Sequence, residues 1–242
     1  MTVLEEDNDD GIVEDNQEDE DELEHHEQKL RIHREKYGSN HLEVASTLYS
    51  LGILHFERDM LEAALTSFQE SLRIRNHAWG TLHHKGCAGA LYNIAQIYLE
   101  LGDVPQALYY YQETIQVEQA ALGPGHESVL QTMLQMGRVQ LLEGESEKAV
   151  QCFLEIVDLL EKRQPEQPEN DKESYLWLAK VYNDIGNVHL QSANTPEMVD
   201  ALSKSARYLQ LADSKNAVHH VSIKGLNMYS VKKMHPECAH CA

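Results

Sequence analysis

Small and large apolar residues return along this chain at fixed distances. Four segments each carry a small residue at their middle: Gly52, Ala95, Gly137 and Gly186. Four residues earlier stand Leu48, Leu91, Met133 and Tyr182, and one residue earlier Leu51, Ile94, Met136 and Ile185. Twelve residues later come Ala64, Ala107, Ala149 and Met198; sixteen later come Phe68, Tyr111, Phe153 and Leu202. Spacings of three and four gather such residues on one helical face, and no alternating pattern competes. The reading is a set of helical hairpins. The small residue admits the second helix of its pair, the residue twelve on is its counterpart, and the large residue sixteen on fills the space between neighbouring pairs.

Breakers mark the turns: Arg58-Asp59, Leu101-Gly102-Asp103 with Pro105 in a first helical turn, and Glu143-Gly144-Glu145. Helices are predicted near 43–56 and 60–77, 86–100 and 104–120, 127–142 and 146–162, then 172–191 and 196–211. Leu23, Leu30 and Tyr37 are spaced by seven, so residues 21–37 predict a lone helix capping the first pair. The same period joins the pairs. Residues 29–38 read KLRIHREKYG and residues 71–80 read SLRIRNHAWG, an offset of 42; a third copy, TIQVEQAALG, follows 43 residues later at 114–123. His41, His83 and His126 each stand three residues after its glycine, and are expected to pin the turn between pairs by hydrogen bonding. The fourth pair is stretched by seven residues, which fall in the Pro-rich stretch 164–170.

Residues 91–111 (Leu91-Tyr92-Asn93-Ile94-Ala95, then Tyr98, Gly102, Ala107 and Tyr111), closing in Leu122-Gly123-Pro124-Gly125-His126, resemble a tetratricopeptide repeat. The 42-residue spacing and the Leu-Gly-x-x-His element resemble the kinesin light chain subtype, across roughly residues 29–212. Pro usually follows that histidine in the subtype; Leu42, His84 and Glu127 stand there instead. The resemblance implies an all-α, right-handed α-solenoid of about four stacked helix-turn-helix units plus a capping helix.

Charge adds a boundary. The 242 residues carry a formal charge of −20, and residues 1–28 alone hold fourteen acidic side chains with no Lys or Arg. Like charges and scarce apolar groups predict a disordered acidic tail over 1–28, without the a and d positions of a coiled coil. The repeat domain then spans 29–212, and 213–242 forms a C-terminal tail with room for some helix. No run long enough to cross a membrane and no basic, apolar leader is found. Without a basic patch, nucleic acid and anionic membrane surfaces are disfavoured. Four cysteines in such a chain are no disulfide framework, so a reducing, cytoplasmic setting is expected. Cys87 and Cys152 fall on helical segments and read as small core residues.

The catalytic motifs searched for (a Gly-rich phosphate loop, Gly-x-Ser-x-Gly, His-Glu-x-x-His) are not found, so the reading is non-enzymatic and without a cofactor. At the C-terminus, Cys238 and Cys241 form a C-x-x-C that His235 or His240 could complete into a zinc site, which gives the alternative reading of a zinc- or redox-responsive module. A frayed, exposed terminus is the plainer account.

The remaining chemistry is a surface. In stacked hairpins the first helices line a concave face, and their residues away from the core point into it. Tyr49, Tyr92, Leu134 and Asn183 form one row on it; Ile53, Gln96, Arg138 and Asn187 form a second; Phe56, Leu99, Leu141 and Leu190 form an apolar third. Such a groove takes an extended or helical peptide, amides meeting its backbone and the stripe its side chains. In the subtype resembled, adjacent asparagines of the first helix contact cargo peptide, and Asn93 and Asn183 each match one of that pair. Of the basic clamp that holds a terminal carboxylate in chaperone-binding repeats, only Arg138, Lys180, Asn183 and Asn187 come near. The expected function is an adaptor or scaffold for a protein or peptide partner, with self-association at an exposed end as a further possibility. The acidic tail either serves solubility or covers the groove and meets Arg138 and Lys180.

Overall fold

In the computed structural model the described residues are 11–163, 172–192 and 194–213, with side chains from Glu22 on, Arg163 excepted. All regular structure among them is helical. α1 (Gly11–Tyr37) is followed by α2 (Leu42–Glu57), α3 (Leu61–Trp79), a 3-10 turn (Lys85–Cys87), α4 (Ala88–Glu100) and α5 (Val104–Leu122). α6 (Glu127–Leu142), α7 (Ser146–Arg163), α8 (Lys172–Gln191) and α9 (Thr195–Asp213) complete the order. Every helix predicted after the first is found, with ends within two residues of the pattern's.

The first helix differs. α1 begins at Gly11, not near residue 21, and ends at Tyr37 as the spacing predicts. Glutamates are good helix formers, and acids in a first turn face the positive end of the helix dipole, which extends the helix upstream. Residues 1–10 lie outside the described residues.

Contacts divide the chain between Gly123 and Pro124. In the N-terminal unit, α2 pairs with α3 and α4 with α5, while α1 packs along α2. Leu30 of α1 rests on a core of Val44, Ala45, Leu48 and Ile74, and His33 Nδ1 meets Thr47 Oγ1 at 2.9 Å. A second core joins the two pairs: Phe68 and Leu72 of α3 lie with Cys87, Leu91, Ile94 and Ile97. In the C-terminal unit, α6 pairs with α7 and α8 with α9, and α7 packs on α8.

The small residues do what the period requires. A Cβ on Gly52 would sit 2.7 Å from the Phe68 ring and one on Gly186 2.7 Å from Leu202; on Gly137 it would collide with Phe153. The large residue sixteen on therefore packs first against the small residue of its own hairpin. Phe68 also lies in the core shared with the neighbouring pair. The fourth pair departs at the counterpart position, where Met198 is half-buried and Ala201 is buried beside Gly186.

Turns repeat with equal regularity. Hairpins close through Met60 N–H to His55 O (2.8 Å), Asp103 to Tyr98 (2.8 Å), Glu145 to Gln140 (2.9 Å) and Asn194 to His189 (2.9 Å). Each is the long 6→1 bond of a Schellman end. The turns of the first three hairpins place Asp59, Gly102 and Gly144 at φ 60, 76 and 78. The turns between pairs are pinned by histidine, with one correction. His41 Nδ1 accepts from Glu43 N–H (3.2 Å) and His126 Nδ1 from Ser128 N–H (3.2 Å), but in the second pair His84, not His83, accepts from Gly86 N–H at 3.1 Å. The 3-10 turn starts that pair one residue later, and His84 also stacks on Trp79 at 3.7 Å between centroids.

Candidate functional site

The first helices of the N-terminal unit, α2 and α4, carry six of the residues singled out by the rows, together with Asn93, which the family resemblance marked. Tyr49 is half-buried and its ring meets Phe68 edge-on at 5.5 Å. Its hydroxyl reaches α4, where Asn93 Nδ2 donates to it at 3.4 Å. Gly89 makes that reach possible, since a Cβ there would lie 2.8 Å from the Tyr49 oxygen. Tyr92 packs edge-on against Tyr111 at 5.8 Å and accepts from Gln96 Nε2 at 2.9 Å. Ile53 and Phe56 lie partly buried on the core beneath, and Leu99 is likewise half-buried. The result is two helices carrying tyrosine and amide tips over half-covered apolar carbon. Such a face offers donors, acceptors and apolar surface together.

Arg75 belongs to this neighbourhood and escaped the sequence reading. Its guanidinium lies 5.3 Å from the Tyr49 ring centroid and donates to the Gly86 carbonyl. Burial lowers its pKa, with Tyr49 among the groups opposing that shift. It holds Tyr49 from below while tying α3 to the start of the next pair. No row contained it, because it lies on a second helix.

The C-terminal unit treats its share of the rows differently. Leu134 is fully buried, only 1% exposed, and lines no groove. Where Tyr49 carries a hydroxyl to the surface, an aliphatic side chain has no polar end to keep wet and stays in the core. Arg138 of α6 is committed across to α8, with Nη2 at 2.8 Å and Nε at 2.9 Å from Asp184 Oδ2. Asp184 is the second residue the rows missed, since a lone acid in an amphipathic helix gives no signal of its partner. Burial pushes its carboxyl pKa up, and Arg138 pulls it back. Lys180 sits 4.8 Å over the Trp177 ring, its pKa lowered first by desolvation and then by Arg138. Asn183, Asn187 and Leu141 are half-buried, and Leu190 is exposed. Arg138, read as open to the acidic tail, already has its counter-charge.

Cys87 and Cys152 are buried, as their places on helices predicted. Cys152 Sγ donates to the Met133 carbonyl at 3.2 Å, and burial pushes its thiol up to about 12. Among the described residues no cluster of His, Cys, Asp and Glu could hold a metal, and no helix is long and apolar enough to cross a membrane. His235, Cys238, His240 and Cys241 lie outside the described residues.

Similar proteins agree with this architecture. The tetratricopeptide repeat model matches residues 20–77 and 86–162. No curated protein matches the chain. Among solved structures, the kinesin light chain nearly identical TPR-like repeats of Podosopora anserina superpose with a TM-score of 0.68 at 14% identity, covering 84% of this chain and 92% of theirs. BtubC (BKLC) of P. vanneervenii gives 0.58 at 15% identity over 74% of this chain and 68% of its own. MamA gives 0.54 at 14% identity over 86% and 97%. At such identities the likeness is one of fold, and it is the same fold each time. Hairpins closed by Schellman turns, small residues under a large partner and a family match over more than half the length lead to one assignment: this chain belongs to the tetratricopeptide repeat family.

Proposed function

We propose that this chain is a non-enzymatic adaptor, acting in the cytoplasm, whose α2/α4 face binds a peptide segment of a partner protein. One observation supports the reading most: two hydrogen-bonded polar pairs, Tyr49 with Asn93 and Tyr92 with Gln96, stand on the same two helices as the half-buried Ile53, Phe56 and Leu99. An extended or helical peptide needs both kinds of contact, the amides for its backbone and the apolar carbon for its side chains. Arg138, Lys180, Asn183 and Asn187 offer a separate polar surface on α6 and α8, with the Arg138 charge half-spent on Asp184.

Peptides selected from a random display library against the whole chain supply the probe. Asn93→Ala and Tyr49→Ala should each weaken the selected peptides about tenfold, the loss of roughly 1.4 kcal/mol expected of a buried interface contact. Undiminished affinity in both variants, with the helical signal intact, would remove the α2/α4 face from the reading.

A further inference from the structure

The α2/α4 face mixes aromatic, amide and apolar groups, yet neither helix carries a Lys or Arg. Between them residues 42–57 and 88–100 hold three acids, Glu43, Glu57 and Glu100. Glu57 stands four residues after Ile53 and Glu100 four after Gln96, so both continue the second row by one turn. The matching positions of α6 and α8 hold Leu142 and Gln191, so this acidic end belongs to the N-terminal unit. Both glutamates are exposed, and among the described residues neither enters an ion pair. Each lies in the last turn of its helix, where the helix dipole adds partial negative charge. Asn93 and Gln96 each give an N–H to a tyrosine oxygen, and their carbonyl oxygens accept no bond from the described residues. Cations of the same unit do not fill this gap. Arg75 lies beneath Tyr49 and donates to the Gly86 carbonyl, while Arg58 follows the buried Leu54 by four residues, on the core side of its helix.

We infer that the occupant of this face is a basic peptide, whose Lys or Arg side chains meet Glu57 and Glu100 while its apolar side chains lie on Ile53, Phe56 and Leu99. The inference rests on the reading of α2/α4 as the peptide-binding face and adds the charge of what binds there. Ammonium and guanidinium groups are donors without acceptors, which suits carboxylates and open carbonyl oxygens. Tyrosine rings also take cations on their faces, as Tyr49 takes Arg75 at 5.3 Å. An acidic peptide would set like charges against both glutamates, with no Lys or Arg on either helix to meet it.

Peptides selected from a random display library against the whole chain are again the probe. The tightest should carry Lys or Arg, and replacing those residues by Gln should weaken them about tenfold at about 0.05 M salt. On a Glu57→Gln/Glu100→Gln chain the difference between the basic and Gln forms should shrink to about twofold. A Glu155→Gln/Glu197→Gln chain has the same net charge but is altered at exposed sites of α7 and α9, and should keep the full difference. Asn93→Ala and Tyr49→Ala should weaken both forms alike. Selected peptides without Lys or Arg, equal binding of the two forms, or a difference that survives Glu57→Gln/Glu100→Gln would each overturn the inference, while losses in Asn93→Ala and Tyr49→Ala would still stand for the face. Undiminished binding of both forms in those two variants would remove the face itself, and the inference with it.

Discussion

At the scale of single residues, the helix cores are set by close approach. Gly52 and Gly137 each face a phenylalanine ring that a Cβ would strike. A helical glycine ordinarily costs about 0.5–1 kcal/mol against alanine, so the fold keeps these glycines for space, against their propensity. Gly52→Leu and Gly137→Leu should each destabilise the protein by about 1–3 kcal/mol, seen as a lower midpoint in urea at unchanged slope. An unchanged midpoint would mean the ring moves aside freely. Arg138 and Asp184 give a second residue-scale expectation, with a pH sign. Burial raises the Asp184 carboxyl above its usual value despite the arginine, so its proton is held more tightly folded than unfolded. Arg138→Met leaves that carboxylate without its partner, at roughly 1–3 kcal/mol, between the values for surface and buried pairs because the arginine is 40% exposed. The deficit relative to the unaltered protein should be full at neutral pH. It should shrink as pH falls through the raised folded pKa, where the buried group becomes neutral, and most of it should be gone below the unfolded value. Urea titrations of both proteins from pH 7 to pH 4 measure the difference.

At the scale of elements, histidine caps the start of the first three pairs: His41 caps α2, His126 caps α6, and His84 caps the 3-10 turn that leads into α4. His126 contributes a cap alone, while His41 also stacks on Tyr37 at 4.7 Å and His84 on Trp79 at 3.7 Å. His126→Ala should cost about 1 kcal/mol, the usual worth of a cap, and His84→Ala more because the indole loses its ring partner. His83→Ala should be near neutral, since only its backbone N–H is engaged, with Thr81 Oγ1 at 3.0 Å. Thermal melts of the three variants rank them. An order with His83 costlier than His84 would put the start of the second pair one residue earlier. Buried hydroxyls brace the hairpins in the same periodic way: Ser71 Oγ donates to the Ala45 carbonyl at 2.7 Å and Ser205 Oγ to that of Ala179 at 2.8 Å. Both lie at the same distance from Gly52 and Gly186, so the fourth pair keeps the register in spite of its stretched entry.

At the scale of the whole molecule, charge is distributed very unevenly. Fourteen of the forty acids stand within the first 28 residues, which therefore dominate the far field of the chain. Deleting residues 1–28 should tighten binding of an acidic probe peptide at low salt. The gain should vanish at high salt, where exposed charges more than a few ångströms apart are screened. Titrations of one fluorescent acidic peptide at about 0.02 and 0.5 M salt test this, and equal affinity for both chains at both ionic strengths would reduce the segment to a solubility device.

The sequence by itself determined the helices and their pairing, because those depend on short, periodic spacings that any helical hairpin must obey. It marked Tyr49, Tyr92 and Gln96 as surface residues for the same reason, while Asn93 was marked by the family resemblance. Tertiary structure alone decided which row members remain available. Leu134 sank into the core, and Arg138 was claimed by Asp184, a carboxylate 46 positions away whose pairing no local spacing encodes. The start of α1 was likewise outside the pattern's reach, because the heptad spacing begins only at Leu23 while the helix runs from Gly11. Arg75 and Gly89, which set the pose of Tyr49, are ordinary helix residues in the sequence and become specific only when α3 and α4 are brought against α2. Periodicity is a local property legible one helix at a time; ion pairs, burial and close approach between elements belong to the assembled chain.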